Sequence, residues 1–105
     1  MASLEKHIEV DLTLLPSEQS GRRAPIYTGF RSQFRCDGRE SDVIHTLDQQ
    51  EFAFPGERAT VFITFRTPAS QAGRLQAGKR FELREEGRVI GRGEVRQILG
   101  LAEAV

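Results

Sequence analysis

Reactive side chains are scarce in this chain of 105 residues, which holds one cysteine, Cys36, and two histidines, His7 and His45. A lone cysteine cannot close an internal disulfide. A zinc site would need more Cys or His than these unless carboxylates joined them. No metal and no cofactor are therefore expected. Nor does any stretch approach the roughly 18 consecutive apolar residues of a membrane helix. The opening MASLEKHIEV lacks a basic segment leading into an apolar one, so no secretory signal and no membrane contact are expected, and the expected compartment is the cytoplasm. The pattern G-x-x-x-x-G-K-[ST] is absent, and Gly87, Gly91 and Gly93 interrupt a strand pattern where a phosphate loop would open a helix. No bound nucleotide is expected.

Catalysis finds no better material. Cys36 alternates with core-type residues, which reads as a buried, inert thiol and not as a nucleophile. Glu85 and Glu86 fall at a hairpin, where solvated turn residues are the default. The chain is not expected to be an enzyme.

Charge is balanced, at 15 basic and 15 acidic residues, but it is unevenly distributed. Residues 20–40 sum to +3 through Arg22, Arg23, Arg31, Arg35 and Arg39, residues 74–96 also sum to +3, and the remainder to −6. If the two basic segments meet in space they form a basic face; if each arginine meets a carboxylate they form a solvated surface of mixed charge.

What the chain does have is alternation. Ile8, Val10, Leu12 and Leu14 alternate with His7, Glu9, Asp11 and Thr13, the period of a strand with one buried face. Residues 16–21 (PSEQSG) read as a turn. A second strand is expected over about 26–36, with Ile26, Phe30, Phe34 and Cys36 on one side and Tyr27, Arg31, Gln33 and Arg35 on the other. The polar residues 37–42 read as a loop, followed by short strands at 43–47 and 51–54 and a turn at Pro55-Gly56. Residues 59–67 (ATVFITFRT) are β-branched and aromatic, hence a strand, with Phe62 facing away from Val61, Ile63 and Phe65. A loop is expected over 68–78, with a helical turn around 71–75.

Residues 79–85 and 88–99 form a hairpin about Glu86-Gly87, where positive φ suits glycine. Gly91 and Gly93 are placed on the side of Val89 and Val95, where missing side chains allow close backbone packing or a barrel bend. Phe30, Phe34, Phe65 and Phe81 fall on core faces, leaving Tyr27 and Phe62 to stack on a base or dock a partner. Five or six short strands without a long amphipathic helix predict an all-β barrel or sandwich, and closure would remove exposed strand edges. One domain is expected over residues 1–105, with its core at about 7–99 and a flexible tail at 100–105.

GRRAPIYTGFRSQF (residues 21–34), the Pro55-Gly56 turn and RFELREEGRVIGRGEVRQIL (residues 80–99) resemble, in order and spacing, segments of the C-terminal (third) domain of elongation factor Tu. The last block aligns without a gap through two strands and their hairpin, and HIEVDLTLLPSEQSGRR suits the opening strand and turn. Residues 37–50 differ most. The resemblance implies a six-stranded antiparallel closed β-barrel, here as a stand-alone domain. It also implies contact with the T-stem of aminoacyl-tRNA and with proteins, since that domain meets tRNA, the nucleotide exchange factor and the GTPase domain. RNA-contacting motif positions carry over to Arg22, Arg23, Gln33 and Arg84. Arg31 and Arg88 match further family arginines that serve the fold or domain docking. Guanidinium suits phosphate because it pairs bidentately, and glutamine bonds to sugar or phosphate.

Several departures bear on that inheritance. The chain contains no asparagine, so the family's guanine-reading Asn-Lys-x-Asp motif is ruled out and the chain is not itself a working elongation factor. Arg23 stands at a family histidine, Glu86 at a hairpin glycine beside the RNA backbone, and CDGRESD (residues 36–42) at a threonine-rich turn. A carboxylate at 86 repels phosphate unless Arg84 or Arg88 neutralises it. The expected function is thus a non-catalytic binding module docking a protein partner of the translation machinery. Recognition of tRNA-like helices is the alternative, and completion of a larger complex with its own GTPase is a third reading. An exposed apolar patch would favour protein docking, and a steep salt dependence would favour RNA.

Overall fold

The computed structural model of the protein describes residues 5–71 and 73–101. Among them eight strands follow in order: β1 (Ile8–Leu14), β2 (Ile26–Tyr27), β3 (Arg31–Cys36), β4 (Arg39–Leu47), β5 (Phe52–Ala53), β6 (Arg58–Phe65), β7 (Arg80–Glu85) and β8 (Arg88–Ile98). Six of them close into an antiparallel barrel in the order β1-β6-β4-β3-β7-β8, while β2 and β5 form a separate two-stranded sheet. Closure gives every barrel strand two hydrogen-bonded neighbours, so none is left as an edge. One helical turn, α1 (Ser17–Ser20), follows Pro16 and stops at Gly21, whose left-handed φ of 74° a side chain would disfavour.

The inward face is the one that alternation marks. Ile8, Val10, Leu12 and Leu14 of β1 are buried, as are Val61, Ile63 and Phe65 of β6 and Phe81 and Leu83 of β7. At the centre, Phe34 meets Phe81 in a stack at 4.6 Å and Phe65 edge-on at 5.1 Å. Each such buried side chain contributes about 1.5–3 kcal/mol of transfer free energy. Gly93 lies between Leu12 and Phe81 in register, and a Cβ there would collide with the Asp11 carbonyl and lie 2.8 Å from Phe81 Cζ. Bare backbone at 93 is what lets β1 approach β8.

Several expectations are corrected. The strand expected over 26–36 is interrupted: Phe30 N–H donates to the Tyr27 carbonyl at 3.0 Å around Thr28 and Gly29, and β2 departs to pair with β5. Parity survives the break, so Ile26, Phe30, Phe34 and Cys36 are all buried. The expected loop at 37–42 is mostly strand. Asp37 and Gly38, both at positive φ (52° and 77°), turn β3 straight into β4 at Arg39. Its first four residues, Arg39 to Asp42, are all polar, so they carry no hydrophobic alternation to read.

The helical turn expected around 71–75 lies earlier, a 3₁₀ turn over Pro68–Gln71; residue 72 is outside the described residues. Val89 is not on the side of Gly91 and Val95. The β7–β8 register passes from Leu83↔Gly91 to Arg84↔Val89, so Ile90 is an inserted, buried residue and Val89 shares the outer face with Arg84. Of the expected tail, Gly100 N–H donates to the His7 carbonyl at 3.1 Å and Leu101 packs against the core. Residues 102–105 lie outside the described residues.

Candidate binding surface

The barrel brings the two basic segments together. Gln33 on β3 faces Arg84 on β7 and, on its other side, Asp42 on β4. Arg31 stands two residues earlier on β3, level with the β7–β8 turn when that register is extended. Glu85 and Arg88 are partners across the hairpin. Arg22, in the segment after α1, reaches the same place, where its Nη1 donates to both oxygens of Glu85 at 2.7 and 3.0 Å. Its Nη2 donates to the Pro25 carbonyl at 3.1 Å, and Cζ lies 4.5 Å from the Phe30 ring centre. Arg23, next in sequence, is exposed. Arg22, Arg23, Arg31, Gln33, Arg84 and Arg88 therefore gather from three separate segments at the end of the barrel that carries the β7–β8 hairpin.

Acidic residues are interleaved with them. Arg35 Nη1 lies 3.2 Å from Glu40, and Arg35 is the register partner of Glu82. Glu82 in turn receives Arg84 Nε at 3.6 Å and Arg92 Nε at 3.5 Å, and Arg84 Nη1 is 3.9 Å from Glu40. Gln33 Nε2 donates to Asp42 at 3.5 Å. Further round, Lys79 pairs with Asp37 at 2.5 Å, Arg80 with Glu94 at 3.5 Å, and Arg96 with Glu9 and Asp11 at 3.3 and 3.4 Å. Pairs this exposed contribute little to stability, because solvent screens them. Their larger effect is on the field: alternating signs across neighbouring strands cancel within a few ångströms. Among the described residues, Arg23, Arg31 and Arg88 form no ion pair. Glu86 adds a carboxylate at the hairpin tip in a left-handed conformation (φ 51°), beside Gly87 at φ 80°.

The aromatic residues divide differently from expectation. Phe62 is not free, because it is half-buried and Lys6 Nζ sits 4.4 Å from its ring centre. Tyr27 is exposed, and with it Phe52 and Phe54. Tyr27 is the register partner of Phe52 across the β2–β5 pair, and the Phe52 and Phe54 ring centres are 6.3 Å apart. Sequence reasoning missed Phe52 and Phe54. The signal was available in the run Phe52-Ala53-Phe54, where alternation about a small buried residue sends both rings outward.

The reactive groups are structural. Cys36 is buried with its Sγ donating to the Arg80 carbonyl at 3.3 Å; burial raises its thiol pKa, Asp37 adds to the rise and Lys79 opposes it. His45 Nε2 lies 2.7 Å from Ser32 Oγ, a pairing that nucleophilic sites also use. Both side chains, however, are sealed in the core, and burial pushes His45 down from 6.5 to about 3, so the ring is neutral. His7 Nδ1 accepts the Phe65 N–H at 2.8 Å. Among the described residues no group of three or more His, Cys, Asp or Glu is placed to hold a metal ion, and no helix is long and apolar enough to cross a membrane.

What remains as chemistry is an outer surface for macromolecular contact: a charge-alternating end with a few unpaired arginines, and a nearby cluster of exposed rings. The architecture is the closed six-stranded barrel that the resemblance implied, and a family model described as the Elongation factor Tu C-terminal domain matches residues 2–99. The chain thus belongs to the elongation factor Tu C-terminal domain family, which marks it as a translation-related binding module.

Proposed function

We propose that this chain is a non-catalytic, cytoplasmic module whose barrel docks a protein partner of the translation machinery. The observation that carries this reading is that three of the four side chains at RNA-facing family positions, all but Arg23, are committed to carboxylates of the barrel itself. Arg22 is held by Glu85 at 2.7 Å, Arg84 lies between Glu82 and Glu40, and Gln33 is turned to Asp42. A phosphate approaching these groups must displace or share an acid already in place, and Glu86 adds a further one. Protein surfaces tolerate such a mosaic, because complementary charges on a partner supply register and specificity.

A second reading, contact with the backbone of tRNA-like helices, is supported by Arg23, Arg31 and Arg88, which are exposed at the same end without ion pairs among the described residues. The test is affinity recovery from host lysate in nuclease-treated and untreated halves, with RNA and protein both identified. Recovery of a discrete translation protein that survives nuclease supports protein docking. Salt-sensitive recovery of RNA that is lost in Arg84→Ala supports the second reading and overturns the first.

A further inference from the structure

The two-stranded sheet stands out once its two faces are compared. Its inward positions, Ile26 and Ala53, are fully buried at 0% exposure. Its outward positions are Tyr27, at 47% exposure, and Phe52, at 44%, continued by Phe54 at 48%. A sheet with one face on the core ordinarily shows polar side chains to water. Here every outward position is aromatic. The rings are also constrained: Tyr27 packs edge-on against the buried Phe30 at 5.8 Å, and the backbone at Phe54 is held by its N–H donating to Glu57 at 2.7 Å. Large, amphipathic or apolar rings that lose little freedom on contact are what interface anchors are made of.

The surroundings select the occupant. The segment bearing two of the rings, residues 48–57, carries Asp48, Glu51 and Glu57 and no Lys or Arg. The next base along the chain, Arg58, lines a shallow depression with Asp11 and Gln50. Readers of single-stranded nucleic acid surround exposed rings with a basic track for phosphate; the side of this cluster that carries Phe52 and Phe54 has an acidic border in its place, and on the Tyr27 side Arg22 is already held by Glu85. A second copy of the chain would bring the same acids against each other. We infer that Tyr27, Phe52 and Phe54 form a docking face for a protein segment that presents apolar or aromatic anchors flanked by lysine or arginine. The inference rests on the protein-docking reading above and deepens it by naming the face and the chemistry of its partner.

The test is a nuclear magnetic resonance titration of the full chain with synthetic peptides of equal length. One peptide combines phenylalanine, leucine and lysine in an amphipathic helical pattern; the other replaces every lysine by glutamate. Oligouridine and dilution of the protein alone complete the set. The expected result is saturable movement of the amides of residues 26–27 and 52–54 with the lysine peptide, at least tenfold weaker binding of the glutamate peptide, and a tenfold or greater loss in Phe52→Ser, Phe54→Ser. Glu51→Lys, which removes an exposed charge and no hydrogen bond among the described residues, is expected to weaken the lysine peptide severalfold while leaving the fold intact. Silence of these amides, equal binding of the two peptides, a stronger response to oligouridine, or the same amides moving on dilution each overturns the inference. A nuclease-resistant translation partner that Phe52→Ser, Phe54→Ser still recovers overturns it as well, while leaving the broader docking reading in place.

Discussion

The guanidinium of Arg22 donates to both carboxylate oxygens of Glu85, at 2.7 and 3.0 Å, across 63 positions of sequence. This tie fastens the segment after α1 to the end of β7, and it occupies an arginine that the RNA reading would require. Arg22 is largely covered and Glu85 about a third exposed, so the pair is screened on one side only. A double-mutant cycle with Arg22→Ala and Glu85→Ala is expected to give a favourable coupling of about 1 kcal/mol in urea unfolding. A coupling near zero would release Arg22 for contact with a ligand and strengthen the RNA reading.

Gly93→Ala is expected to destabilise the barrel by about 2–3 kcal/mol, because backbone and not a flexible chain end stands in the way of the new methyl group. Gly91→Ala meets Leu12 Cδ1 at 3.0 Å, where the side chain can yield, and the Thr13 carbonyl oxygen only at 3.2 Å, against an outright backbone collision at 93, so the expected loss is smaller, about 1 kcal/mol. Denaturant midpoints of the two variants check the order; equal losses would contradict the placement of β1 on β8.

Glu86 holds a left-handed φ of 51° at the hairpin tip, where a side chain is disfavoured and glycine is not. Glu86→Gly is expected to raise stability by about 0.5–1 kcal/mol, and Glu86→Ala, which keeps the Cβ, to give no gain. Thermal unfolding distinguishes them. If the alanine variant gained as much, the effect would be one of charge and not of conformation.

Acid should act through His45. Its pKa falls from 6.5 in the unfolded chain to about 3 in the folded one because burial disfavours the charged ring. Below pH 6.5 the unfolded chain takes up a proton that the native state refuses, so stability falls as pH drops toward about 3, by about 1.4 kcal/mol per pH unit. His45→Gln removes this term. Between pH 7.5 and 4.5 the wild type is expected to lose about 2–3 kcal/mol more than the variant in urea unfolding. Equal losses would mean that the ring is not held neutral in the core.

The barrel was largely legible from period-two alternation, because a strand with one buried face must alternate and a one-residue slip would expose its apolar side. Legibility failed where that constraint was absent. Residues 39–42 are polar throughout, so nothing in them distinguished the start of β4 from a loop. In β8, the inserted Ile90 shifts parity by one and moves Val89 outward, which no periodic reading detects without the partner strand. Phe52 and Phe54 alternated about Ala53, yet the sign of the alternation depended on which side met the core.

The six candidate binding residues show the same division. Their types and motif positions were visible along the chain, and so was the surplus of arginine in the two segments that β3 and β7 bring together. Whether that surplus made a basic face was decided by cross-strand register, which sets Glu82 between Arg35 and Arg92 and Glu85 opposite Arg88, and by the approach of the segment after α1, which brings Arg22 onto Glu85. Local pattern determines which side of each strand is apolar, since burial is a property of one strand and its core. Electrostatic character belongs to the surface that several strands share, because charges cancel or reinforce over a few ångströms of space whatever their separation along the chain. For this protein the sequence by itself determined the barrel and its family. Only the tertiary structure decided which arginines are neutralised and which rings face outward.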